Sequence, residues 1–94
     1  VALAMRRAAC DADLDAAIAL LAATRPTAVN LRWALARMDA TLRPLPPPER
    51  AARAYAEAAA IAEEDVACCA AIGRHGRALI EQLAAGRGRV VNVL

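Results

Sequence analysis

Thr24 to Leu35 read TRPTAVNLRWAL, a stretch that ends one helix, forces a turn and starts the next. Pro26 disfavours the α region for the residue before it, so Arg25 is predicted to be extended and outside regular helix. The following helix must then begin at Pro26 or just after it, with the Thr27 hydroxyl as its cap. That geometry leaves the free N–H groups of the first turn pointing back toward the side where Arg25 lies. A guanidinium beside the positive end of a helix dipole can receive a phosphate. The plainer reading of the same residues is an arginine in a helix–helix corner, paired with a carboxylate.

Upstream of this stretch, Val1 to Ala9 read as the last turns of a helix. Asp11, Asp13 and Asp15 crowd the start of the next one, where Asp11 or Asp13 can cap and all three favour the positive dipole end. A calcium loop would also need its Gly and terminal Glu, which this segment lacks. Leu14, Ile18 and Leu21 recur at i, i+4 and i+7, which predicts an amphipathic helix from about Ala12 to Ala23.

Downstream, a helix is predicted over Thr27 to Thr41. Leu31, Leu35, Met38 and Leu42 form one apolar stripe, and Val29, Trp33, Ala36 and Ala40 form a second on nearly the opposite side. Apolar on two faces, this helix is expected to be sandwiched between neighbours and to be the most buried, with Trp33 in the core. Asn30 is expected to support the same packing. Leu42 to Pro48, LRPLPPP, should be a stiff non-helical connection, with Pro48 tolerated in the first turn of the next helix.

From Glu49 to Ala85 nothing firmly breaks a helical pattern, so one long helix is predicted. Tyr55, Ala59, Ala62, Val66, Cys69, Gly73 and Ile80 lie on its stripe, with Ile61, Cys68, Ile72, Leu79 and Leu83 on the shoulder. Gly73 and Gly76 should permit close contact with a neighbour or a bend. Asp65 falls between stripe and shoulder and needs a partner, for which Arg32 and Arg37 are the candidates. A structural ion pair is the better reading, because one acid without a base is no catalytic constellation. His75 should face solvent, and with no second ligand at metal spacing it does not indicate zinc. Cys68 and Cys69 read as small core residues rather than nucleophiles. Gly86 and Gly88 end the helix, and Val90, Val91, Val93 and Leu94 form the β-branched run of a buried strand. One strand cannot stand alone, so its sheet partners are expected beyond Leu94.

The fold class expected is therefore all-α, a helical bundle with one long helix, ending in a single β-strand. The helical domain should occupy residues 1–88 and the strand residues 89–94, opening a further α/β domain. Ninety-four residues allow one small domain, and both ends read as interior to a larger protein. All 12 basic residues are arginine and are interspersed with 10 acids for a net charge of +2, so no basic face indicates nucleic acid. No apolar run approaches membrane-spanning length. Three cysteines, two of them adjacent, fit a reducing cytoplasm better than a disulfide scaffold.

Two motifs carry a resemblance. TRPTAVNLRWALARM, residues 24–38, resembles the Arg-Pro-Thr-Ala-Val-Asn-Leu segment of S-methyl-5-thioribose-1-phosphate isomerases, which continues with two residues, Ala-Leu and then Arg-Met. IAEEDVACCAAIG, residues 61–73, is similar to the family's Ile-x-x-Glu-Asp, a short spacer, and Ile-Gly. These enzymes are relatives of the alpha, beta and delta subunits of eukaryotic translation initiation factor two-B. The resemblance implies a helical N-terminal domain leading through a strand into a Rossmann-like domain. It implies aldose–ketose isomerisation of 5-methylthioribose 1-phosphate in methionine salvage, by a cytoplasmic homodimer without metal or nucleotide cofactor. Arg25 matches the arginine that binds the substrate phosphate, and Asn30 and Trp33 match motif positions. The family's catalytic cysteine and aspartate would lie after Leu94, so Cys68, Cys69 and Asp65 do not stand in for them. The alternatives are a ribose-1,5-bisphosphate isomerase or regulatory subunit on the same fold, and an Ala-rich helical interaction module without chemistry.

Overall fold

The computed structural model describes residues 1–88, Val90 and Asn92. Among these residues there are four helices in chain order: α1 (Ala2–Arg7), α2 (Asp11–Thr24), α3 (Val29–Leu42) and α4 (Pro47–Arg87). There is no strand among the described residues, and the expected strand at 89–94 lies largely outside them. The chain divides into two compact units, Val1–Ile61 and Ala62–Leu94.

The helix boundaries follow local chemistry. Cys10 precedes α2, and Asp13, three residues on, reaches back to accept from the Cys10 backbone N–H at 3.3 Å and from its thiol at 2.6 Å. The acid expected at the cap thus serves from inside the first turn, the reciprocal half of a capping box. After α3, residues 43–46 are non-helical. Pro47 and Pro48 then open α4, where a missing N–H costs nothing. Gly88 closes α4 at φ +61 and donates its N–H to the Ala84 carbonyl at 2.8 Å. That left-handed conformation suits glycine.

In the first unit, Met5, Leu14, Met38, Leu42 and Ala54 form the core, with Leu14 and Leu42 fully enclosed. The Leu14, Ile18, Leu21 face of α2 turns inward as its spacing predicts, and so does the Leu35, Met38, Leu42 stripe of α3. The second stripe of α3 does not. Trp33 is 53% exposed and Val29 67%, and Ala36 and Ala40 also face solvent. The prediction of a sandwiched α3 with Trp33 in the core is corrected: among the described residues only one side of the helix is covered. Periodicity identifies an apolar face but says nothing of which segment covers it.

The first part of α4 also turns differently from its expected stripe. Tyr55 is 43% exposed, and the inward face is Arg50, Ala54, Glu57 and Ile61 at i, i+4, i+7 and i+11. Two of these are charged and nearly enclosed, Arg50 at 3% and Glu57 at 7% exposure. The Arg50 guanidinium is satisfied throughout. Its Nε donates to the carbonyls of Leu42 and Leu45 at 3.0 and 3.1 Å, Nη1 to Ala9 at 2.9 Å, and Nη2 to Arg43 at 3.0 Å. Nη2 also meets Asp11 Oδ1 at 2.6 Å. One side chain therefore binds carbonyls at and just beyond the end of α3, where the Leu42 carbonyl also accepts from the Leu45 N–H at 3.1 Å, and ties them to the α1–α2 connection.

Glu57 accepts from Arg37 Nε at 2.5 Å, and its other oxygen lies 3.5 Å from Arg53 Nη2. The Arg37 guanidinium in turn sits 5.5 Å from the Trp33 ring centroid, a cation–π arrangement. Glu57→Ala removes the acceptor and leaves Arg37 partly enclosed without it, so it should destabilise the fold by about 1–3 kcal/mol. Chemical denaturation of the variant checks this, and a loss below about 0.5 kcal/mol would make the pair a surface ornament. On the outside, Arg43 bridges Asp39 and Asp15 at 2.6 and 2.5 Å, which raises its pKa further above the range where it could deprotonate.

The second unit carries the rest of α4. Cys68 and Cys69, expected in a core, are exposed free thiols, and His75 is exposed as expected. A Cβ added at Gly73 or Gly76 would meet nothing within 4 Å, so neither the close neighbour nor the need for it appears among the described residues. Asp65 is exposed, while Arg37, one of its expected partners, is engaged by Glu57.

Candidate anion-binding corner

The corner between α2 and α3 is built by three consecutive residues with different jobs. Thr24 finishes α2, its hydroxyl donating to the Leu21 carbonyl at 2.6 Å. Arg25 leaves the helix at φ −143, ψ 76, outside the α region that the following proline disfavours but short of the fully extended conformation expected. Pro26 and Thr27 then turn the chain, and the Ala28 N–H closes the turn on the Arg25 carbonyl at 3.0 Å.

Helix α3 starts later than expected. Ala28, not Thr27, is the N-cap, and no side chain caps the helix. The reason is the turn itself, which uses Pro26 and Thr27 as its two central residues and moves the first helical residue to Val29. The first α-helical bond runs from the Arg32 N–H to the Ala28 carbonyl at 3.2 Å. The N–H groups of Val29, Asn30 and Leu31 therefore precede the ladder and have no acceptor within the helix.

Arg25 is exposed, and among the described residues it forms no ion pair. The paired-corner reading is thus not what these residues adopt. Asn30 and Trp33, expected to support packing, are both exposed on α3. The corner presents a cation, an unsatisfied helix start and the Asn30 amide, a set suited to an anion and lacking any acid–base pair. An open apolar cleft of about 410 Å³ between Leu3, Leu21, Leu35 and Ile61 lies elsewhere in the first unit and includes none of the corner residues. No described helix is long and apolar enough to cross a membrane.

The model of the initiation factor 2 subunit family matches residues 4–85. Methylthioribose-1-phosphate isomerase of Methylobacterium nodulans is 64% identical over 94 residues, which cover all of this chain and 26% of that protein. The enzymes of the same name from Acidiphilium cryptum and Dechloromonas aromatica are 60% and 56% identical over 94 residues, covering 25% and 26% of their lengths. The chain thus spans about a quarter of the length of these curated relatives. No solved structure matches it.

Proposed function

Because the chain belongs to the initiation factor 2 subunit family, we propose that it is the N-terminal helical part of a methylthioribose-1-phosphate isomerase. The observation that carries the proposal is identity of 64% along the whole chain to an enzyme of that name. The motif at Arg25 to Met38 and the exposed corner around Arg25 agree with it.

In this reading the complete protein converts 5-methylthioribose 1-phosphate to 5-methylthioribulose 1-phosphate. Such an isomerisation moves hydrogen between adjacent carbons of the sugar, so the phosphate must be held while the reacting carbons stay aligned with an acid and a base. Arg25 supplies a charge-assisted contact to the phosphate, and the first-turn N–H groups of α3 add dipolar stabilisation. The 94 residues contribute this contact and no catalytic group. The catalytic cysteine and aspartate, a Rossmann-like domain that carries them, and the homodimer belong to the rest of the chain.

The test is an isomerase assay with 5-methylthioribose 1-phosphate on the full-length protein and on the 94-residue chain. Ketose should form with the former only. Turnover by the 94 residues alone would overturn the division of labour, and none by the full-length protein would overturn the activity.

A further inference from the structure

The uncapped start of α3 continues into one particular side of that helix. Asn30, Trp33 and Arg37 follow at i, i+3 and i+7, so they share a single face that runs away from the free N–H groups of the first turn. Trp33 on this face is 53% exposed. Its ring is not bare on both sides. The Arg37 guanidinium lies over it at 5.5 Å from the centroid, and Arg37 Nε donates at 2.5 Å to Glu57, whose side chain is only 9% exposed. The arginine above the indole is thus anchored on a carboxylate that belongs to the interior of the first unit. One face of the ring is occupied, and the rest is open among the described residues.

Position decides what such a ring can meet. Trp33 lies four residues after Val29, about 6 Å along the helix axis, and helical Cα–Cβ bonds tilt back toward the N-terminus. The indole is therefore within the length of one small molecule from the N–H groups that would receive a phosphate. In the isomerase reading the substrate has two dissimilar ends, a phosphate on one side of the sugar ring and a methylthio group on the other. With the phosphate at the helix start, the far end of the sugar falls about one turn along α3. A thioether is polarisable and makes favourable contacts with aromatic rings, whereas a hydroxyl in the same place exchanges its hydrogen bonds to water for an apolar surface. Resting on the isomerase reading, we infer that Trp33 is a specificity residue, its open face packing on the methylthio group of the substrate.

Two sugar phosphates and the full-length protein test this role. The Michaelis constant is measured for 5-methylthioribose 1-phosphate, and ribose 1-phosphate, which has a hydroxyl where the substrate has methylthio, is titrated as a competitor. Trp33→Ala should raise KM roughly ten-fold or more and leave the inhibition constant of ribose 1-phosphate within about three-fold of the parent's. Trp33→Phe should keep KM within about three-fold, because a phenyl ring still meets the sulfur. Neither constant depends on the fraction of protein that is folded, so a less stable variant does not imitate the result. An unchanged KM in Trp33→Ala overturns the inference. So does a rise shared equally by KM and the inhibition constant, or a phenylalanine variant as weak as the alanine one. Any of these outcomes beside normal turnover by the parent defeats only the role of Trp33, whereas absence of turnover by the parent defeats the isomerase reading and this inference with it.

Discussion

Arg50→Met should be the most damaging substitution in the first unit, costing about 3–5 kcal/mol of stability. Methionine keeps much of the stem and its contact with the core but removes every donor. The carbonyls of Leu42, Arg43, Leu45 and Ala9 then lose a partner together, in a place where the 3% exposure of Arg50 leaves little room for water. Arg50→Lys should recover only part of the loss, because one ammonium cannot reproduce a planar fork spread over four carbonyls. Asp11→Asn should cost below about 1 kcal/mol, since Asp11 is largely exposed and the four carbonyls keep their donors. Urea unfolding of the three variants measures the series. A methionine variant within about 1 kcal/mol of the parent would show that the carbonyls are hydrated and that Arg50 does not tie the α3 end to the α1–α2 connection.

Arg25→Ala should act in the opposite way, leaving the fold intact and damaging substrate binding. Its side chain is exposed and makes no ion pair among the described residues, so none of the described packing depends on its charge. On the isomerase reading proposed above, loss of a charge-assisted phosphate contact worth about 1.5–3 kcal/mol should raise the KM of the full-length protein roughly 10- to 150-fold. In that reading the Michaelis constant should take most of the change, because the phosphate would be a remote anchor held similarly in ground and transition states. Arg25→Lys should retain part of the affinity through charge alone. Circular dichroism distinguishes this from misfolding. An unchanged KM in a folded Arg25→Ala protein would remove the corner from the substrate site.

The two residues differ in how legible they are in the sequence. Arg25 stands out because it precedes a proline, and a local rule is enough to place it outside the helix. Arg50 gives no local sign, being an ordinary arginine in a proline-rich helix start. Hydropathy assigns such a residue to solvent, and nothing in the residues around it indicates that one side chain meets Ala9, Leu42 and Leu45 together. Glu57 is hidden for the same reason. The apolar stripe through Tyr55 and Ala59 passes beside the true inward face, because burial there is decided by ion pairing with Arg37 rather than by side-chain hydropathy. Trp33 illustrates the converse error: its hydropathy suggests a core, but among the described residues those that pack on α3 meet the Leu35–Met38–Leu42 side.

By itself, the sequence determined the helical class, the break at Arg25–Pro26, one long helix after the proline run and the family motifs, while α4 in fact takes in Pro47 and Gly86, which the sequence placed outside it. All of these depend on short-range rules, on backbone dihedrals, missing donors and periodicity, that act within a few residues of chain. Tertiary structure alone decided which of the two faces of α3 is covered among the described residues, and that Arg50 and Glu57 point inward. Those outcomes depend on which distant carbonyls, carboxylates and apolar surfaces arrive at the same place, and a helical wheel carries no information about its neighbours.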